Sequence, residues 1–124
     1  MEIKDFEPST VKAFINYIYT DIIDPEKFDL SLIYIAHKYN VPRLVSECTS
    51  MLCDQMNGEN ILEIIKAGYY LDNETLFESA VNYMQRVHWI QKNKDEWNAF
   101  KSLQAHAGIG MKITEYLLAT PKMN

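Results

Sequence analysis

The sequence is poor in the residues that build most metal and nucleophilic sites. It holds two cysteines and three histidines in 124 residues. Cys48 and Cys53 lie five positions apart, which on a helix turns them about 140° from one another at ~100° per residue, so they cannot grip one ion together. His37, His88 and His106 fall on separate predicted elements. No G-x-S-x-G elbow occurs, and Gly108-Ile109-Gly110 follows no strand, so it predicts a turn rather than a phosphate cradle. No metal, cofactor or catalytic residue is expected. Glycine and proline, four of each, are too scarce for a disordered or low-complexity chain. No apolar run approaches the ~18 residues of a membrane span, and nothing resembles a signal peptide. An intracellular chain with reduced thiols and no membrane partner is therefore expected. The net charge is -5, and the densest basic stretch, Lys92 to Lys101, is interleaved with Asp95 and Glu96. That pattern is a solvated helix surface, and it excludes a nucleic-acid partner, which needs clustered Lys and Arg.

What the chain does have is apolar material in helical register. Hydrophobic residues make up 48% of it, enough for a compact fold to bury roughly two thirds of the surface its unfolded chain exposes. Residues 1–5 alternate polar and apolar and predict one short strand. Pro8 opens a helix, and Val11, Phe14, Ile15, Ile18 and Tyr19 form its expected core face before the Asp24-Pro25 turn. Asp29 is placed to cap the next helix, Leu30 to Tyr39, which has almost no polar face. After Asn40-Val41-Pro42, Leu44, Val45, Cys48 and Leu52 share one side of a third helix. Asn57-Gly58 is the next break. Beyond it Ile61, Ile64, Ile65 and Gly68 share a face, widened by Leu62 and Tyr69. Asp72-Asn73 caps a helix with Leu76, Phe77, Ala80, Val81, Met84, Val87 and His88 in register. Asn93 and Glu96 have the spacing of a capping box ahead of Trp97 and Phe100. Gly108-Ile109-Gly110 is expected to interrupt before a last helix, Lys112 to Ala119. The predicted class is mainly α: short antiparallel helices with one N-terminal strand, which on its own has no sheet to join. The eight tyrosines cannot all be buried, since each hydroxyl wants a partner, and tyrosine is enriched at interfaces.

Read together, several stretches resemble the BTB/POZ domain. They are Glu2-Ile3-Lys4-Asp5-Phe6-Glu7-Pro8, then Phe14-Ile15-Asn16-Tyr17-Ile18-Tyr19-Thr20, Asp29-Leu30, Ala36-His37-Lys38-Tyr39, Val41-Pro42-Arg43-Leu44 and Cys48. Glu59-Asn60-Ile61-Leu62-Glu63-Ile64 resembles the start of the helical segment that follows it, the three-box and BACK region. The style is similar to the speckle-type POZ, MATH-containing subgroup, including Glu96-Trp97 and the helix around Tyr116. Two departures stand out: Asp21 replaces the glycine usual after Tyr-Ile-Tyr-Thr, and His37 replaces the acidic residue usual before Lys-Tyr.

The resemblance implies the rear half of a BTB/POZ domain over residues 1–56 and a three-box/BACK-like helical region over residues 57–124. The strands that would pair with residues 1–5 would lie upstream, and the front half of the domain and any MATH or kelch substrate domain would be absent from this chain. It also implies a non-enzymatic adaptor for the cullin-3 scaffold of a ubiquitin ligase. The cullin-facing residues would be Tyr39, Asn40 and Pro42 in one turn, and Ile61, Leu62, Ile65 and Tyr69 on one helix. Self-association through the C-terminal helices would involve Tyr116. Two other classes stand beside this reading. One is a ligase-independent oligomerisation or transcription-repressor scaffold. The other is a small helical enzyme or ligand carrier, which a buried polar pocket around His37 or His88 would favour.

Overall fold

The computed structural model describes residues 6–26 and 28–119, except for the side chain of Gln104. The strand expected at residues 1–5 lies outside the described residues, which contain helices and turns and no strand. The chain divides into two compact units, Met1–Gln55 and Met56–Asn124.

The first unit carries α1 (Pro8–Thr20), α2 (Ser31–Lys38) and α3 (Pro42–Asp54). Proline opens both α1 and α3, where its missing N–H costs no helical hydrogen bond. The Asp29 carboxylate accepts the Ser31 N–H at 2.8 Å in the turn ahead of α2, whose N-cap position is Leu30 rather than the expected Asp29. α2 packs between α1 and α3 and is apolar nearly all round, with Leu32, Ile33, Ile35 and Ala36 buried. Leu44, Cys48 and Leu52 of α3 are buried as expected, and Val45 is half-buried.

The buried side of α1 differs from the expected one. Thr10, Phe14 and Tyr17 are buried, whereas Ile15, Ile18 and Tyr19 are exposed. The reason is that α1 has two apolar arcs, and the one that includes a threonine and a tyrosine faces inward. The Tyr17 hydroxyl and Thr10 Oγ1 are buried without a hydrogen bond. Burial, and then the neighbouring Glu47 carboxylate, push the Tyr17 pKa up, because both disfavour a phenolate.

The second unit carries α4 (Ile61–Tyr70), α5 (Glu74–Arg86), α6 (Trp89–Lys92), α7 (Lys94–Ser102), a single 3₁₀ turn (Gln104–His106) and α8 (Ala107–Ala119). α4 and α5 form its tightest pair, burying Ile61, Ile64, Ile65, Ala67 and Gly68 against an opposing set of Leu76, Phe77, Ala80, Val81 and Met84. Asn73 Oδ1 accepts the Leu76 N–H at 3.1 Å and caps α5. Trp89 is buried and its indole N–H donates to the Gly58 carbonyl at 3.1 Å. From there an aromatic column runs Trp89, Trp97, Phe100, His106, with ring centroids 6.5, 5.7 and 4.1 Å apart.

Three local expectations are corrected here. His88 does not extend the face of α5: it sits at φ 55, exposed, and turns the chain into the short helix α6. Asn93 does not cap α7 through its side chain, because that amide donates back to the Trp89 carbonyl at 2.8 Å. Gly108-Ile109-Gly110 does not interrupt; it forms the first turns of α8. A side chain at Gly108 would overlap the Tyr69 hydroxyl, so that glycine serves a close approach rather than a break.

Candidate protein-binding surfaces

In the first unit, the turn between α2 and α3 is built by hydrogen bonds at every step. The Asn40 N–H donates to the His37 carbonyl at 3.2 Å, and the Val41 N–H to the Ala36 carbonyl at 2.9 Å. This is a Schellman motif, with Asn40 in the left-handed region at φ 55. Pro42 then fixes the first turn of α3. Asn40 and Pro42 are exposed and Tyr39 is half-buried, its ring 5.8 Å from that of Phe14 and under the Lys38 ammonium at 5.7 Å. The expected turn residues Tyr39, Asn40 and Pro42 thus come together on one rigid corner.

In the second unit, the α4 residues divide. Ile61 and Ile65 are 0% exposed, while Leu62 and Tyr69 are half-buried. The Tyr69 ring packs edge-on to Tyr70 at 5.3 Å and lies 5.9 Å from the Lys112 ammonium of α8, which also pairs with Glu74 of α5. Tyr116 is half-buried, and its hydroxyl hydrogen-bonds Asn82 of α5 at 3.1 Å. The large apolar side chains that α8 exposes are Met111 and Leu118, 67% and 83% exposed. Sequence periodicity missed one surface: Ile15, Ile18, Tyr19 and Ile22 of the first unit, assigned in part to the core, are all exposed. The signal was available in Thr10 and Tyr17, which complete a second face of the same helix.

Reactive groups do not gather in the same way. His37 and His88 are both exposed, and the buried histidine, His106, is held by Phe100, whose carbonyl lies 2.9 Å from its Nδ1. Cys48 is fully buried, and burial followed by the adjacent Glu47 pushes its thiol up to about 12. It is a core residue at neutral pH, not a nucleophile. Both thiols are free. Among the described residues, no three His, Cys, Asp or Glu side chains are grouped to hold a metal ion, and no helix is long and apolar enough to cross a membrane.

Residues 1–56 match the BTB/POZ domain family, whose members are interaction modules. The chain is 30% identical over 86 residues to BTB and MATH domain-containing protein 40 of Caenorhabditis elegans, an alignment covering 67% of this chain and 21% of that protein. It is 24% identical over 99 residues to BTB/POZ and TAZ domain-containing protein 1 of Arabidopsis thaliana, covering 77% and 26%. To Kelch-like protein 40 of Xenopus tropicalis it is 27% identical over 97 residues, covering 77% and 16%. The chain therefore spans between 16% and 26% of the length of these three relatives.

Proposed function

We propose that this chain is the rear half of a BTB/POZ domain followed by three-box/BACK-like helices, in the manner of the speckle-type POZ subgroup. In this reading it serves as an adaptor that docks on the cullin-3 scaffold of a ubiquitin ligase. The observation that carries the reading is the α2–α3 corner. Its left-handed Asn40 and Schellman hydrogen bonds hold Asn40 and Pro42 in water beside Tyr39. A corner already ordered loses little conformational freedom on binding, so its contacts are not spent on ordering. Leu62 and Tyr69 form a second contact patch on the other unit. Ile61 and Ile65 act from beneath by holding α4 in place. Docking is of the helix-in-groove kind, with a few aromatic and aliphatic anchors carrying most of the affinity.

The test is calorimetric titration of the chain with the cullin-3 N-terminal domain, after circular dichroism has established its helical content. Binding at roughly micromolar Kd is expected, weakened about tenfold or more by Tyr39→Ala, the loss typical of an anchor residue. Absence of binding by a well-folded chain would sink the adaptor reading for this chain. The second reading, a ligase-independent oligomerisation or transcription-repressor scaffold, is favoured by the exposed Met111 and Leu118 on α8. There Tyr116, tied to Asn82, would set the helix rather than reach the partner. His37 and His88 are both exposed, so neither lies in a buried polar pocket of the kind that would favour an enzyme or ligand carrier.

A further inference from the structure

One helical glycine has no reason within the chain to be a glycine. Gly68 makes way for the Phe77 backbone and Gly108 for the Tyr69 hydroxyl, but a Cβ built on Gly110 meets open space, with Lys101 Cδ at 4.0 Å as its neighbour. Its φ is not positive, so no turn requires it, and glycine weakens a helix relative to alanine. The space beyond it is a groove of about 440 Å³ walled by α6, α7, the 3₁₀ turn and α8. Trp97 and Ile113 form its floor, 7% and 5% exposed, and the exposed Met111 stands at its edge. Bare backbone in the wall of an apolar groove lets another chain approach closely. We propose that this groove docks an amphipathic helix of a partner protein, with an apolar ridge against Gly110 and an acidic side chain at Lys101.

Three features select that occupant. The first is size. A cavity of about 150 Å³ holds a benzene-sized molecule, so this groove takes a ridge of side chains rather than one. The second is the missing Cβ at Gly110, since the distance between two crossing helices is set by the side chains at their contact. The third is charge. The ionisable residues of the groove are Lys101 and His106, and no carboxylate is among the described residues that line it, although the whole chain has a net charge of -5. The Lys101 ammonium lies 5.7 Å from the centre of the Trp97 ring, which keeps the cation at the edge of the apolar floor. The Phe100 carbonyl, 2.9 Å from His106 Nδ1, can only accept, so that nitrogen carries a proton and the ring is fixed. An acidic residue of the partner pairs with Lys101 at this edge, where it sets the choice of partner more than the raw affinity. The groove shares no residue with the α2–α3 corner or with Leu62 and Tyr69, so docking here does not depend on cullin binding.

The experiment is fluorescence anisotropy of a fluorescein-labelled synthetic helix titrated with the full chain. The probe carries leucines at i, i+3, i+4 and i+7, two flanking glutamates, and alanine and glutamine elsewhere. A second probe has lysines in place of the glutamates. The glutamate probe should bind with a Kd on the order of 100 μM, and the lysine probe about tenfold more weakly. Lys101→Glu should invert that preference, and the residue is exposed, so its replacement leaves the fold intact. Gly110→Leu should abolish binding of the glutamate probe with unchanged helical circular dichroism, because the new side chain enters the groove without a clash. Leu118→Asp, outside the groove, should change nothing. A glutamate probe that does not bind the wild-type chain overturns the proposal. So does equal binding of the two probes, or binding that survives Gly110→Leu. A wild-type chain that doubles its mass in sedimentation equilibrium through a contact removed by Gly110→Leu also overturns it, since the groove would then hold a second copy.

Discussion

Replacing Gly68 by alanine should destabilise the second unit by about 2 kcal/mol. Gly68 is buried on α4, and a Cβ built there would lie 2.8 Å from the Phe77 nitrogen and 2.9 Å from the Phe77 Cα. Those atoms belong to the backbone of α5, so relief requires moving a helix rather than rotating a side chain. Overpacking of a close-packed core costs about 1–3 kcal/mol, and a backbone contact puts this site near the upper end. Against that stands the gain of about 1 kcal/mol from exchanging glycine for alanine within a helix. The net loss of about 2 kcal/mol corresponds to a fall in Tm on the order of 10 °C for a unit of this size. Gly110→Ala is the control. It sits on α8 with Lys101 Cδ, at 4.0 Å, as its near neighbour, so the propensity gain should appear there as a rise in Tm. The assay is thermal unfolding followed by circular dichroism at the helix band. An unchanged or raised Tm for Gly68→Ala would refute the reasoning, because the α4–α5 approach would then be looser in solution than described.

Other perturbations follow from single sites. Asp21 occupies the left-handed region at φ 59 and pairs with Arg43 at 3.7 Å on an exposed surface. Asp21→Gly should therefore stabilise the first unit by about 0.5–1 kcal/mol, since the strain exceeds what an exposed ion pair contributes. Urea unfolding measures it, and a lower midpoint would refute it. Asn73→Ala should cost about 1 kcal/mol through loss of the α5 cap, with Asn93→Ala, which removes no cap, costing less; urea midpoints rank the two. The Cys48 thiol is raised from 9.0 to about 12 in the fold. The folded state thus holds its proton more tightly than the unfolded chain, so this contribution is fully present below pH 9 and is lost as pH rises from there towards 12. Tyr17, raised in the same direction, adds to the alkaline loss. Urea midpoints measured from neutral into alkaline pH should fall, and a midpoint that rises through that range would contradict both.

The parts of the fold legible in the sequence are those where one signal acted alone. The α4 and α5 faces each had a single apolar arc, and their centres, Ile61 to Gly68 and Leu76 to Met84, are buried as read, while Leu62, Tyr69 and Val87 at the margins are half-buried and His88 is exposed. The cap at Asn73 was legible because its side chain lies one position ahead of the first turn of α5 and accepts the Leu76 N–H. α1 was misread because periodicity counts apolar residues, and its outward arc has more of them than its buried one; Thr10 and Tyr17 do not register as core. Asn93 failed as a cap because its side-chain amide donates to the Trp89 carbonyl, which turns it back towards the short helix α6 and away from the first turn of α7. Gly108 and Gly110 looked like a break because glycine in a sequence carries the signs of a turn and of close packing alike. The contact with Tyr69, 39 positions earlier, cannot be seen from spacing. Of the surface residues, the Tyr39, Asn40 and Pro42 corner was legible from the proline and the asparagine before it. On α4 the sequence could not separate the half-buried Leu62 and Tyr69 from the buried Ile61 and Ile65.

Both tryptophans of the chain, Trp89 and Trp97, lie in the second unit, 2% and 7% exposed. Shielded indoles emit in the blue and shift to the red on contact with water, so the intrinsic fluorescence of this protein reports on one unit alone. The first unit, with tyrosine as its emitting side chain, is nearly silent at tryptophan wavelengths, while the helical circular dichroism signal samples both. Recording the two signals along one denaturant series separates the halves of the molecule without any label. Coincident curves mean that the two units unfold as one cooperative block, and a displaced fluorescence curve gives the stability of the second unit by itself.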